Sequence, residues 1–250
     1  MNCQPHWIRQ VDIWLYNNHT CLLCDEAIES ALAICSACKL ELPWLDESCQ
    51  RCALPLPMPM PMSGLICGHC LKQPPAFEQV HAAWAYDFPV DSLIVRFKHN
   101  SKWTYGRLLA ELLGRCLLDR FNCGQERPDF LLPVPLSVQR LRQRGYNQAA
   151  MLCHWLSAQL SIPRCEHWLL RTRDTPAQQA LGAKIRKRNL LQAFALAPGT
   201  QVKGLHLALV DDVLTTGATA ESLARLLLNA GARRVDVYCL ARTPKPEGAP

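Results

Sequence analysis

The sequence predicts an α/β domain, an open parallel sheet with flanking helices, preceded by a small cysteine-rich metal module. Three observations predict it. Eight of the fourteen cysteines form four Cys-x-x-Cys pairs within residues 21–70, where long periodic segments are scarce. From residue 76 onward, strand-like and helix-like segments alternate, the pattern of an α/β domain. Near the end, a continuous apolar run meets two acids and a Thr-Thr-Gly-x-Thr stretch that opens a helical segment.

Taken in order, residues 1–20 read as a helical lead-in, with Trp7, Ile8, Val11, Trp14 and Leu15 on one face. Packing against the rest of the protein is the favoured use of that stripe over membrane contact. Residues 21–75 form the metal module, in which bound metal supplies what a small core lacks. Inside it, the alternating prolines of residues 54–63 favour a stiff, extended loop, with a partner-recognition peptide as the alternative. The remaining domain spans 76–244. Strands are expected at 82–86, 130–134, 205–210 and 235–240, and helices at 90–98, 103–118, 147–160 and 219–230. Residues 245–250 form a proline-containing tail.

No apolar run approaches a bilayer span, so no stable membrane span is expected. The first twenty residues lack a basic start followed by an apolar stretch, so a cytoplasmic, reducing setting is expected, one that favours metal ligation over disulfides. The net charge of +6 is divided unevenly: residues 1–75 carry −3 and residues 76–250 carry +9. Residues 140–188 hold ten Lys/Arg against two Asp/Glu. Such a concentration suits a polyanion, either nucleic acid or a multiply phosphorylated small molecule, or else an ordinary solvated surface.

The cysteine pairs are Cys21/Cys24, Cys35/Cys38, Cys49/Cys52 and Cys67/Cys70. Each turn can aim two thiolates at one ion, and two turns complete a tetrahedron, so four pairs make two closed structural Zn²⁺ sites. An iron–sulfur cluster is the alternative. In each half the second pair is followed by proline (Pro43; Pro74 and Pro75), which favours sequential pairing over a crossed arrangement. His69, inside the last pair, is a surplus ligand.

The stretch Asp211-Asp212-Val213-Leu214-Thr215-Thr216-Gly217-Ala218-Thr219 carries the strongest functional signal. Loop amides and threonine hydroxyls at a helix N-terminus wrap a phosphate dianion. Gly217 allows close approach of the backbone. Adjacent carboxylates accept hydrogen bonds from vicinal ribose hydroxyls, and the carboxyl edge of an open α/β sheet is where a ligand belongs. A plain helix cap after a buried strand accounts for Thr219 but not for the double acid.

That stretch resembles the phosphoribosyl pyrophosphate signature of type I phosphoribosyltransferases. The chain as a whole is similar to the ComF/GntX family over about residues 20–244, a family linked to DNA uptake in competence and to use of DNA as a nutrient. The resemblance includes the cysteine pairs, Phe97-Lys98, Leu132-Pro-Val-Pro-Leu136, Arg140-Leu-Arg-Gln-Arg-Gly-Tyr-Asn-Gln148, Arg171-x-Arg173-x-Thr175-x-x-Gln178, Arg186-x-x-Asn189 and Leu240-Ala-Arg-Thr-Pro244. It implies a type I phosphoribosyltransferase-like sheet behind a double zinc ribbon. Asp211 and Asp212 would hold the ribose and Thr215–Thr219 the 5′-phosphate. Arg140, Arg142 and Arg144 would lie near pyrophosphate, and a flap over 171–189, with Arg171 and Arg173, would cover the site. Gly182 and Ile185 stand where the family often has Ser and Glu. Mg²⁺ would accompany phosphoribosyl pyrophosphate. Transfer of the phosphoribosyl group to a base-like acceptor is the leading implication. A non-catalytic regulator and a single-stranded-DNA-binding accessory protein are the alternatives, and a competence helicase is the partner the family suggests. For Tyr146, helix-start packing is favoured over stacking on a base. Lys98 and His99 either flank the site or end a solvated helix.

Overall fold

A computed structural model of the chain describes residues 20–28, 32–45, 47–56, 64–99, 102–172 and 193–244. The expected lead-in before residue 20, most of the expected proline-rich loop, the expected flap of 171–189 beyond Thr172 (with Arg173, Gly182 and Ile185) and the tail lie outside the described residues.

Four parallel strands make the sheet: β1 (Val80–Ala85), β2 (Phe130–Pro133), β5 (His206–Leu214) and β6 (Arg234–Arg242), in spatial order β1-β6-β5-β2. Burial on both faces dictates the middle of this order. Leu207–Val210 and Val237–Ala241 are wholly excluded from water, as a parallel strand covered by helices requires. A short antiparallel pair, β3 (Leu169–Arg171) and β4 (Phe194–Leu196), forms a second sheet.

Helices α3 (Val90–His99), α4 (Trp103–Asn122) and α6 (Gln148–Leu160) share one core with Val210, Tyr238 and Leu240. Helix α7 (Ala218–Asn229) and the β3–β4 pair share the other with Leu209, Val237 and Cys239. Close packing of α3 on α4 needs Gly106, where an added Cβ would stand 2.5 Å from the Phe97 ring.

The cysteine module covers the outer edge of β1. Leu45 N donates to Ala83 O (3.0 Å), Ala85 N to Pro43 O (2.9 Å) and Val80 N to Arg51 O (2.9 Å), so β1 presents no open ladder for another chain to pair with. Trp44 packs on Trp84 with ring centroids 5.2 Å apart. Among the described residues no helix is long and apolar enough to cross a membrane.

The expected strands and long helices are present, with shifted ends. The strand expected at 205–210 runs on to Leu214, because β6 keeps pairing with it through Val213↔Ala241 and Leu214↔Arg242. Asp211 and Asp212 therefore lie within β5, not beyond it. Between β2 and the helix expected at 147–160, the chain contains a further helix, α5 (Val138–Arg144), capped by Ser137 and ended by Gly145 in the left-handed region (φ 79°).

Candidate functional site

The carboxyl ends of β5 and β2 meet a single group of polar residues. Asp211 and Asp212 are half-buried, and the Asp212 N–H donates to Asp211 Oδ1 (2.9 Å). Lys98, near the end of α3, places Nζ 3.1 Å from Asp212 Oδ2. Burial, with the Asp212 charge adding to it, pushes the Asp211 carboxyl up from the usual 3.8 to about 7. The Asp212 amide and the Lys98 and Arg144 charges hold it from rising further. Two adjacent acids thus occupy different environments, one countered by a lysine and one reluctant to ionise.

Beyond them, Thr215 and Thr216 are exposed, and Gly217 stands at the head of α7 with φ 76°, ψ 0°. No side chain caps this helix from the Gly217 position. Thr216 Oγ1 accepts from Ala218 N at 3.4 Å. The remaining first-turn amides and the positive end of the helix dipole sit beside exposed hydroxyls, the arrangement of an anion site.

On the β2 side, Val134 N donates to Val210 O (2.9 Å), and Asn147 Nδ2 holds Val134 O (3.1 Å). Arg144 donates to Gln148 Oε1 (2.8 Å). Arg140 and Arg142 are exposed on α5, which buries none of its residues. The Tyr146 hydroxyl donates to Phe97 O and its ring packs on Phe97 and Trp103, the packing use expected of it. Arg171 lies on β3 with its guanidinium over the Phe194 ring (5.5 Å), on the antiparallel pair and not on the parallel sheet's edge.

Arg242 was present in the sequence only as part of a closing motif without a role. It is buried, and donates to the carbonyls of Cys52 (3.0 Å), Leu214 (3.1 Å) and Thr243 (2.8 Å), and to Thr215 O. By contrast, the other charged cluster, His206, Asp236 and Arg234, sits at the amino ends of β5 and β6, where Asp236 Oδ2 pairs with His206 Nε2 and accepts from Arg234 (both 2.9 Å), and where His206 Nδ1 is buried without a hydrogen-bond partner among the described residues.

The eight cysteines gather into two groups, Cys21/Cys24/Cys35/Cys38 and Cys49/Cys52/Cys67/Cys70, each with sulfurs within 4.8 Å of one another. Sequential pairing is therefore the arrangement adopted, and His69 stands outside both groups. Four sulfurs at about 2.3 Å from a central Zn²⁺ lie about 3.8 Å apart. Cys24–Cys35 and Cys52–Cys67 are separated by 3.8 and 3.7 Å, far beyond a disulfide bond. The repeat extends to the backbone. Cys35 and Cys67 each cap a five-residue helix, α1 (Ser36–Leu40) and α2 (Gly68–Lys72), and accept from Cys38 N and Cys70 N. Burial raises the Cys21 and Cys49 thiols, but surrounding backbone N–H donors outweigh it and bring both to about 7. The donor set fits structural zinc.

Fold and site together define a class: a double zinc ribbon joined to a phosphoribosyltransferase-type domain. Residues 13–71 match the double zinc ribbon domain family, and residues 169–250 match the phosphoribosyl transferase domain family. DNA utilization protein YhgH of Salmonella typhimurium is 37% identical over 225 residues, covering 89% of this chain and 96% of that protein. Competence protein F of Haemophilus influenzae is 35% identical over 228 residues, covering 90% and 97%. The chain belongs to the ComF/GntX family. A solved purine phosphoribosyltransferase from Pyrococcus horikoshii aligns over 57% of this chain and 78% of that one, at 17% identity and a TM-score of 0.35, a likeness too weak to bear on the site.

Proposed function

We propose that the protein binds phosphoribosyl pyrophosphate with Mg²⁺ at the carboxyl edge of β5 and transfers its phosphoribosyl group to a base-like acceptor, in the service of DNA uptake or utilisation. The observation that carries this reading is one stretch of chain, 211–219, that offers two half-buried carboxylates and then exposed threonines before a helix whose N-cap, Gly217, has no side chain to occupy its amides. In it, residues 21–75 are a structural module and 76–244 the ligand-binding domain.

The chemistry follows from the charges. Asp211 and Asp212 accept from the ribose hydroxyls and, once ionised, stabilise the oxocarbenium character that grows at C1 as pyrophosphate leaves. The 215–219 loop, with Val213 and Leu214 leading into it, holds the 5′-phosphate. Arg144, whose charge already reaches Asp211, meets the pyrophosphate with Arg140 and Arg142. Mg²⁺, when bound, offsets the charge developing on the leaving group. By the family resemblance, Arg171 and Arg173 would lead a flap that excludes water from the site.

Titration calorimetry with phosphoribosyl pyrophosphate and Mg²⁺, followed by a screen of bases for pyrophosphate release, tests the proposal. Binding and release are expected, and Asp211→Asn with Asp212→Asn abolishes release. Binding without release across the bases leaves a regulator, and no binding removes the reading. A second reading, a single-stranded-DNA-binding accessory role, draws on α5, where Arg140 and Arg142 are exposed beside Val138 (57% exposed) and Leu141 (43%). It requires DNA affinity that falls steeply with salt and weakens when those arginines are neutralised. In that reading a helicase of the uptake machinery is the expected partner.

A further inference from the structure

We infer that Arg242 is a positioning residue that couples the second cysteine cluster to the ribose-phosphate loop, so that metal at Cys49/Cys52/Cys67/Cys70 and a sugar phosphate at 215–219 stabilise each other. The inference deepens the function proposed above and rests on that reading of the loop.

Arg242 ends β6 directly opposite Leu214, the last residue of β5. Its side chain is buried, and its acceptors are neutral oxygens: Cys52 O, Leu214 O, Thr215 O, Thr243 O and Thr243 Oγ1. Among the described residues no carboxylate pairs with it. A buried guanidinium met only by neutral oxygen dipoles is costly to leave unsatisfied, so the acceptors are held firmly in place.

Two consequences follow for the loop. In a trans peptide the carbonyl and the next N–H point in opposite directions. Fixing Leu214 O and Thr215 O on Arg242 therefore turns the Thr215 and Thr216 amides away from the buried guanidinium, and both residues are exposed. A positive charge also stands behind the loop without an anionic partner, and an incoming phosphate is the counter-ion it lacks.

The other end of the link is the second cysteine cluster. Cys52 is a member of the second cluster, and its carbonyl is the acceptor for Arg242 Nε. The chain leaving that cluster makes two further contacts with the loop and helix. Ala76 N donates to Glu221 Oε2 in the first turn of α7 (2.7 Å). Phe77, 3% exposed, has ring carbons 4.0 Å from where a Cβ on Gly217 would stand. The first cluster turns the other way: Cys21, Ile28 and Leu42 join the core shared with α3, α4 and α6. Binding linkage is reciprocal, so whatever the second cluster does for the loop, an occupied loop does for the second cluster.

The test uses the full zinc-loaded chain. Maleimide labelling of each cysteine, mapped by mass spectrometry, is followed with and without phosphoribosyl pyrophosphate and Mg²⁺, alongside calorimetry. The ligand is expected to slow labelling of Cys49, Cys52, Cys67 and Cys70 by roughly tenfold, a typical size for coupling between sites, and to leave Cys21, Cys24, Cys35 and Cys38 unchanged. Arg242→Met removes that difference. Arg242→Lys, which keeps the charge but cannot span Cys52 O and Thr215 O together, removes most of it. Bound ligand with both clusters slowed equally, or neither, overturns the inference. If calorimetry shows no binding, the ribose-phosphate reading falls, and amide exchange then judges Arg242 without ligand. Exchange at 215–218 must rise about tenfold in Arg242→Met chains that still hold two zinc ions, the same scale of coupling. Unchanged exchange there sinks the link as well. The wild-type labelling measurement stands even if Arg242→Met does not fold.

Discussion

Replacing Asp211 with asparagine is expected to stabilise the protein at neutral and alkaline pH while removing its ribose-phosphate affinity. In the folded chain the Asp211 carboxyl keeps its proton up to about 7, because burial and the neighbouring Asp212 charge oppose ionisation. In the unfolded chain it ionises near the usual 3.8. Between those two values the folded state holds a proton that the unfolded state has released. Stability contributed by this residue therefore falls as pH rises through that window and levels off above it. One pH unit corresponds to about 1.4 kcal/mol, so the gap sets an upper limit of about 4 kcal/mol on the penalty. Water reaching the half-buried carboxyl reduces it. Asparagine keeps the shape and carries no such penalty. Urea unfolding of Asp211→Asn and of the wild type between pH 5 and pH 8.5 measures the difference, which should grow with pH in favour of the variant. A difference that stays constant across that range refutes the reasoning, for it would mean that Asp211 ionises in the folded chain as readily as in the unfolded one. The penalty marks the residue as placed for chemistry and not for stability.

Gly106→Ala is expected to destabilise the chain by about 1–3 kcal/mol, the usual cost of overpacking, because its Cβ would meet the Phe97 ring at 2.5 Å; denaturant titration checks this. Gly217→Ala meets no close atom, with Phe77 4.0 Å away, so its cost is confined to the left-handed backbone, roughly 1 kcal/mol, and calorimetry should show weakened binding at the loop. Removing zinc with a chelator should release the module from the edge of β1 and separate Trp44 from Trp84, seen as a red shift in tryptophan fluorescence that zinc reverses. Fluorescence unchanged after both ions have been removed would contradict a structural role for the clusters.

Much of this architecture is visible in the chain because it is written in short-range pattern. The run from Leu207 to Val210 has no polar residue, the pattern of a strand covered on both faces. Cys-x-x-Cys spacing restricts two thiols to one ion whatever surrounds them. Helix α5 was harder to see because Val138–Arg144 is polar and short, with no apolar stripe to give it a period, although Ser137 and Gly145 mark its two ends. The β3–β4 pair has three residues in each strand, too few for alternation to register.

The sequence by itself determined which chemistry is present: eight thiols in four turns, two adjacent acids, and a threonine-glycine bend leading into a helix. Tertiary structure alone decided what those groups experience. Asp211 and Asp212 look equivalent in the chain, yet one faces Lys98 from 114 positions away and the other is raised towards neutrality. Arg242 is joined to Cys52 across 190 positions and to Leu214 across 28. Burial, local field and hydrogen-bond partners are properties of distance in space, and chain order leaves that distance open until the sheet has assembled.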